Sequence, residues 1–192
     1  MQALFGKSKK TLLLEQEYND AKTWFKGYYA SQDEDVKNSI SVIPGNKGIP
    51  SEQILNLKYN GVYFEVANVV NAFNNAESSN HPAWKQAWKQ ECINIHKRNM
   101  QEYNDAKTWF EGYYSSQDED VKTSISVKPG DKGIPSEQLN EYDGKYFDVA
   151  SVVNAFNIAE ERNDPLWKQK CIRIYKKNMA GGRKRIFRKK KI

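Results

Sequence analysis

Residues 16–53 read QEYNDAKTWFKGYYASQDEDVKNSISVIPGNKGIPSEQ, and residues 101–138 read QEYNDAKTWFEGYYSSQDEDVKTSISVKPGDKGIPSEQ. Only five of these 38 positions differ. The likeness continues further along the chain, so that 55 of 69 aligned positions are identical. A repeat of about 80 residues is far longer than the repeats of solenoids, and each copy is therefore predicted to have its own core.

The repeat divides the chain into four parts, whose net charges differ sharply. The lead (1–15) carries +2, the first unit (16–100) is neutral, and the second unit (101–179) carries −3. The tail (180–192) carries +7, which brings the whole chain to +6. Basic residues are thus concentrated at the two ends. Such a distribution indicates an anionic partner for the ends rather than for the units.

Apolar spacing and turn residues predict an α+β unit. Apolar residues recur every three or four positions between Thr11 and Ala30, which is typical of an amphipathic helix. Asn60-Gly61 and Asp143-Gly144 each lie between short apolar runs, a pattern that favours a β-hairpin with a type I′ turn. A short helix and a last helix opened by proline follow in each copy. The predicted order is therefore helix, loop, hairpin, helix, helix.

The junction between the units contains no helix breaker. No glycine or proline occurs from Ala83 to Phe110. The last helix of unit 1 is therefore expected to continue into the first helix of unit 2, so that a long helix joins two lobes. The alternative is a bend near residues 99–104.

Few residues in this chain are suited to catalysis. His81 and His96 are the only histidines, and the second copy has Asp164 and Tyr175 in their places. Cys92 and its counterpart Cys171 are each followed by isoleucine on the last predicted helix of their copy, and both are expected to be buried core residues. No metal-ligand or nucleotide-binding spacing is present. We therefore expect no enzyme activity, cofactor, metal or small-molecule substrate.

Two repeated features are candidates for contact with a protein partner. The loops PGNKGIP (44–50) and PGDKGIP (129–135) each combine two prolines, two glycines and a lysine. Their candidate contact residues are Lys47, Ile49, Lys132 and Ile134. The aromatic block of the first helix has more apolar residues than one helix face needs. Its candidate interface residues are Trp24, Tyr29, Trp109 and Tyr114.

The C-terminal tail is the strongest candidate site for an anionic partner. Its basic residues are Arg183, Lys184, Arg185, Arg188, Lys189, Lys190 and Lys191. Seven such residues can neutralise about seven phosphates, but they carry no base-specific information. The alternatives to a nucleic acid are an acidic protein surface, a targeting receptor and a membrane surface.

Two classes of function agree with these features. The favoured one is a structural or adaptor protein of a large assembly, such as a minor capsid component of a virion, which binds protein partners through two similar lobes. The alternative is a nucleic-acid-binding protein with two DNA-reading repeats and an anchoring tail. No apolar run reaches the roughly 20 residues of a membrane span, and two cysteines do not form a disulfide framework. The expected location is intracellular rather than secreted, in a virion or the nucleus.

Overall fold

A computed structural model of the chain describes residues 8–57 and 59–188, and the side chains of those up to residue 180. The chain divides between Asn99 and Met100 into two compact units, here named lobe 1 and lobe 2. All regular elements of the described residues are α-helices. The helices of lobe 1 are α1 (Lys9–Ala30), α2 (Glu34–Ser39), α3 (Ser51–Asn56), α4 (Gly61–Ser78) and the first part of α5 (Pro82–Ser115).

Lobe 2 repeats this order of helices. Its first helix is the second part of α5, which crosses the boundary between the lobes without interruption. The helices that follow are α6 (Glu119–Ser124), α7 (Ser136–Leu139), α8 (Gly144–Arg162) and α9 (Pro165–Arg188). The long helix predicted at the junction and the helix predicted near residues 11–30 are both confirmed.

Each lobe has its own apolar core, centred on α4 in lobe 1 and on α8 in lobe 2. In lobe 1, α4 is the most buried helix, and Val66 and Val70 are fully enclosed. Tyr18 and Trp24 of α1 pack on one side of it, and Cys92 of α5 completes the core. The same positions pack together in lobe 2, where Tyr103, Val149, Val153 and Cys171 are buried and Trp109 is half-buried. Both cysteines are buried free thiols, as the sequence predicts.

The predicted β-hairpin is wrong, and so is the α+β class. Asn60 and Asp143 are extended N-cap residues, and Gly61 and Gly144 open α4 and α8 with φ angles of +50° and +46°. The positive φ that a type I′ turn demands is therefore used here to start a helix. The apolar residues that follow continue at a helical spacing for 18 residues in α4, and the predicted short helix is only part of it. The fold is all-α.

The last helix also differs from the prediction at its end. It begins at Pro165, where Asp164 caps it by accepting a hydrogen bond from Leu166 N at 2.9 Å. The sequence Ala180-Gly181-Gly182 predicts the end of this helix, because glycine is a poor helix former, but α9 continues to Arg188. Arginine and lysine are strong helix formers, which favours continuation past two glycines. No helix among the described residues is both long and apolar enough to cross a membrane.

Candidate functional site

Two buried asparagines of α4 hold the PGNKGIP loop of lobe 1. The Asn71 amide accepts a hydrogen bond from Ile49 N and donates one to Ile49 O, both at 2.9 Å. The Asn74 amide does the same with Gly45 N at 3.0 Å and Ile43 O at 2.9 Å. Each side chain thus satisfies a donor and an acceptor of loop backbone that strand or helix partners would otherwise have to satisfy.

Lobe 2 has the same arrangement of two buried asparagines that hold the loop, which is here named the asparagine clamp. Asn154 of α8 binds Ile134 N and Ile134 O, at 2.8 and 2.9 Å. Asn157 accepts from Gly130 N at 3.0 Å and donates to Lys128 O at 2.8 Å. These four asparagines are at most 4% exposed. Because both copies keep the clamp, the position of the loop against the helix is a property of the repeated unit.

The two glycines of each loop serve different purposes. Gly45 and Gly130 have φ angles of +87° and +89°, which residues with a Cβ rarely adopt. Gly48 lies against α4, where an added Cβ would be 2.6 Å from Asn75 N and closer still to the Asn75 side chain. Gly133 is packed in the same way on Ile158 of α8. The loop therefore follows the surface of the helix at backbone contact distance.

In lobe 1 this packing leaves a groove between α1, the loop and α4. The groove has a volume of about 610 Å³. Its apolar wall is the stacked pair of Phe25 and Phe73, whose ring centroids are 4.2 Å apart with planes within 9° of parallel. Its lining residues are Lys22, Phe25, Lys26, Pro44, Gly45, Asn46, Phe73, Asn74, Glu77 and Ser78.

Lobe 2 has the equivalent groove between α5, the loop and α8. Its volume is about 530 Å³, and Phe110 and Phe156 stack with centroids 4.3 Å apart. Its lining residues are Lys107, Phe110, Glu111, Pro129, Gly130, Asp131, Lys132, Phe156, Asn157, Glu160 and Glu161. The two sites together are named the twin grooves. Apolar walls with a few charged groups at the rim are typical of a binding site.

A tyrosine, a glutamate and a lysine form the same charged group beside each groove. In lobe 1 the Tyr18 hydroxyl donates to Glu77 Oε1 at 2.7 Å, and Lys22 Nζ lies 3.0 Å from the same oxygen. In lobe 2 the corresponding distances from Glu160 to the Tyr103 hydroxyl and to Lys107 are 2.6 and 2.9 Å. Burial and the carboxylate raise the pKa of both tyrosines far above its usual value.

The same arrangement lowers the pKa of both glutamates. Partial burial by itself would raise the pKa of Glu77, but the hydrogen bonds from Tyr18 and Lys22 outweigh it and hold that pKa below 4.5. The pKa of Glu160 is lowered in the same way by Tyr103 and Lys107. Both carboxylates are therefore charged at neutral pH. They place a negative charge at the same position in each groove.

Three lining positions differ between the twin grooves, and all three changes make lobe 2 more acidic. Lys26, Asn46 and Ser78 of lobe 1 correspond to Glu111, Asp131 and Glu161 of lobe 2. Two lysines and one carboxylate line the groove of lobe 1, for a net charge of +1. Two lysines and four carboxylates line that of lobe 2, for a net charge of −2. The phenylalanine wall and the loop backbone are kept, while the sign of the net charge is reversed.

The loop residues proposed for partner contact differ in how exposed their side chains are. Lys47 and Lys132 are exposed, and Lys132 lines the groove of lobe 2. Ile49 and Ile134 are half-buried, pack on the cores, and are the residues that the asparagine clamps hold. The lysines are thus accessible to a partner, whereas the isoleucines anchor the loop.

The aromatic residues proposed as an interface belong mainly to the cores. Trp24 is 4% exposed, and its Nε1 donates to Asn99 Oδ1 at 3.0 Å. Tyr29, Trp109 and Tyr114 are half-buried and pack against their own cores. Two other residues of the same aromatic block, Phe25 and Phe110, line the grooves; Phe25 is half-buried, and Phe110 is 8% exposed.

The basic tail falls at the end of the described residues. Arg183, Lys184, Arg185 and Arg188 lie on the last part of α9. Lys189, Lys190 and Lys191 lie outside the described residues. The tail and the twin grooves are therefore separate candidate sites.

The described residues contain no cluster of three or more histidine, cysteine or acidic side chains that could hold a metal ion. Burial raises the pKa of both the Cys92 and Cys171 thiols to about 12, so neither is a thiolate at neutral pH. His96 stacks on the Trp24 ring, with centroids 5.5 Å apart. The two cysteines are thus buried in the cores, and His96 packs against a core tryptophan.

No protein-family model matches the chain, and no curated protein or solved structure matches it significantly. The function is therefore inferred from the chemistry of the chain itself.

Proposed function

We propose that the protein is a non-enzymatic structural or adaptor protein of a larger assembly, such as a minor component of a virion, that binds protein partners through its twin grooves. Each groove accepts a short segment of partner chain, with an apolar side chain against the phenylalanine pair. The repeated Lys–Glu pair supplies polar contacts at the rim. Aromatic anchors surrounded by polar groups are typical of the residues that dominate binding energy at protein interfaces.

The observation that carries this proposal is that both lobes repeat a groove that depends on several residues of special conformation or burial. The glycines, the buried asparagines and the stacked phenylalanines recur in both lobes. A core could be built without a loop laid at contact distance on a helix. Two grooves on one chain increase binding to an assembly that offers a segment to each of them, because the second contact forms at a high effective concentration.

The experiment blocks each groove in the full chain. Lys26→Trp and Glu111→Trp each place an indole at an exposed helical position that lines a groove. Binding is measured to the partner that co-purifies with the native protein, identified by mass spectrometry. Each single variant should bind at least about a hundredfold more weakly, because it loses the bivalent gain, and the double variant should not bind.

The matched controls are Asp20→Trp and Asp105→Trp. These equivalent, exposed positions lie on the same two helices but outside both grooves. They should bind the partner as the wild type does. If all four variants bind equally well, the grooves are not the sites of attachment and the proposal is wrong.

A nucleic-acid-binding protein is the second candidate, and the seven basic residues of the tail favour it. Under this alternative the lobes read DNA and the tail anchors them. The groove of lobe 2 weighs against it, since a net charge of −2 would repel phosphates. Binding of nucleic acid is therefore assigned to the tail rather than to the lobes. An intracellular location, in a virion or the nucleus, is part of the same proposal.

A further inference from the structure

The acidic groove of lobe 2 and the basic tail are complementary. We propose that the lobe 2 groove binds residues 183–191 of a second copy of this chain. This inference rests on the proposed function, because it takes the twin grooves to be binding sites, and it names the occupant of one of them.

The first argument is the charge that lobe 2 leaves uncompensated. Asp131 accepts a hydrogen bond from Lys128 N at 2.7 Å, and Glu161 accepts one from Gly133 N at 3.0 Å. Within the described residues, these two carboxylates and that of Glu111 form no ion pair. These three negative charges, opposed in part by Lys132 of the same lining, give the groove its net charge of −2. A cationic ligand would gain from all three.

The second argument is the composition of the tail. Residues 183–191 read RKRIFRKKK, with seven basic residues and a single aromatic residue, Phe187. Phe187 provides an anchor for the wall formed by Phe110 and Phe156, and Arg185 and Arg188 flank it. Stacking of aromatic rings adds to the energy of burying their apolar area. Arginine also pairs well with carboxylates because its planar group presents several donors.

The third argument explains why the tail comes from a second copy. The groove lies at the C-terminal end of α8, where Phe156, Glu160 and Glu161 line it. Helix α9 begins at Pro165, close to that end, and residue 183 follows 18 positions later on the same helix. At 1.5 Å per residue, the helix carries the tail about 27 Å away from the groove of its own lobe. A neighbouring molecule meets no such constraint.

The groove of lobe 1 would not bind the tail. Lys26 stands in the place of Glu111, and the two carboxylates at positions 131 and 161 are replaced by neutral side chains. The result is a groove with the same phenylalanine wall but a net charge of +1, which repels a cationic segment. One tail and one acceptor groove per chain define a head-to-tail contact. Such contacts build rings or open filaments from identical copies.

The first test measures binding of a fluorescein-labelled peptide of residues 180–192 to the nuclease-treated full chain by fluorescence anisotropy. The chain itself supplies the test variant, Glu111→Lys/Asp131→Asn/Glu161→Ser, which gives lobe 2 the lining of lobe 1. Ser78 accepts from Gly48 N at 3.1 Å as Glu161 does from Gly133 N, so this exchange preserves the loop. The variant should bind the peptide at least about tenfold more weakly.

The control changes the net charge of lobe 2 equally, but outside the groove. Asp105→Asn/Glu141→Lys/Asp148→Asn alters three exposed positions by the same four charges. It should bind the peptide within about twofold of the wild type, apart from weak long-range screening effects. A peptide with Phe187→Ala should bind about tenfold more weakly to the wild type, since it lacks the anchor. Equal binding of the two peptides, or an equal loss in both triple variants, would overturn the proposal.

The second test is self-association of the full chain by sedimentation velocity. The wild type should form larger species as its concentration rises, and added 180–192 peptide should dissociate them. The lobe 2 exchange variant should stay monomeric. A monomeric wild type at every concentration would reject the inference. If Glu111→Trp still weakens binding to the co-purified partner, the grooves remain binding sites and only the assignment of the tail fails.

Discussion

At the scale of single residues, the asparagine clamps do what main-chain partners usually do. Asn71 satisfies both polar groups of Ile49 from a position that is 1% exposed. Removing one partner of a buried hydrogen bond costs more than the bond itself contributes, because the other partner remains desolvated. The clamp should therefore be among the most sensitive polar positions in each lobe.

We predict that Asn71→Ala lowers the free energy of unfolding by about 2–3 kcal/mol, because two backbone groups lose their partner. The measurement is urea denaturation of the full chain. Asn68→Ala is the matched control, since Asn68 lies one turn earlier on α4 and is exposed. Its effect should stay within about 0.5 kcal/mol. Equal effects of the two substitutions would show that the clamp does not stabilise the loop.

The Tyr–Glu–Lys groups predict a specific response to acid. The pKa values of Glu77 and Glu160 in the folded protein lie below 4.5, so acid protonates them in the unfolded chain first and favours unfolding. Their stabilisation is complete above that value and is lost as the pH falls below it. Both carboxylates are about half exposed, which limits the contribution to less than about 1 kcal/mol each.

The measurement compares the wild type with Glu77→Gln/Glu160→Gln in urea denaturation between about pH 6 and pH 3. The double variant should be less stable at pH 6, and the difference should shrink towards pH 3. Glu141→Gln is the control, because Glu141 is exposed and lies outside the groove. A constant difference across this range would contradict the assignment.

The sequence held a signal for the clamps that composition and periodicity do not use. Both copies contain VVNAFN, at residues 69–74 and 152–157, in which two asparagines interrupt an apolar run. A polar residue repeated within a buried run requires a buried partner. Which backbone groups serve as that partner depends on the path of a loop more than 20 residues away. That path could not be read from local pattern.

At the scale of elements, the contact between loop and helix depends on glycine. Gly48→Ala would place a Cβ within 2.6 Å of Asn75 N, so the loop must move away from α4. We expect a loss of about 2 kcal/mol or more, comparable to other cases of overpacking. We also expect faster proteolysis within residues 44–50, measured by limited digestion and mass spectrometry.

Gly112→Ala provides the opposite control. Gly112 lies inside α5, and an added Cβ there meets open space. Alanine should stabilise the helix by about 0.5–1 kcal/mol. If Gly48→Ala is as well tolerated as Gly112→Ala, the loop does not pack on α4 as described.

Sequence patterns predict the long elements of this fold better than the short ones. Helices α1 and α5 follow from apolar spacing and from the absence of helix breakers over many residues. The predicted hairpin was wrong because Asn60-Gly61 is compatible with either a turn or the start of a helix. The apolar residues after it fit both the strand spacing and the helix spacing over a short window. Only the packing of α4 against its core resolves the choice.

At the scale of the whole molecule, the net charge of +6 is carried by the ends. Replacing the seven basic tail residues by glutamine leaves a net charge of −1. We predict that this variant loses nearly all affinity for duplex DNA. For the wild type, the logarithm of the binding constant should fall against the logarithm of salt concentration with a slope near −6, if all seven residues engage phosphates.

Lys7→Gln/Lys9→Gln/Lys10→Gln, at the other basic end, is the control for this prediction and should retain most of the affinity and slope. Retention of both by the tail variant would instead indicate that the lobes bind nucleic acid.

The twin grooves themselves were not predictable from the sequence, because α1, the loop and α4 meet only in the folded lobe. The replacement of Lys26 by Glu111 was visible as a difference between copies, but its position at a groove was not.

Correct folding requires that α1 and the second part of α5, whose sequences are nearly identical, each pack against the core of their own lobe. Residues 16–30 of α1 and 101–115 of α5 agree at 13 of 15 positions, so each segment carries the side chains that the other lobe requires. During refolding, either segment can dock against either core, and an exchanged helix must detach before the native pairing forms. Refolding should therefore include a slow phase. At high concentration, the same exchange between molecules should yield long-lived intertwined dimers.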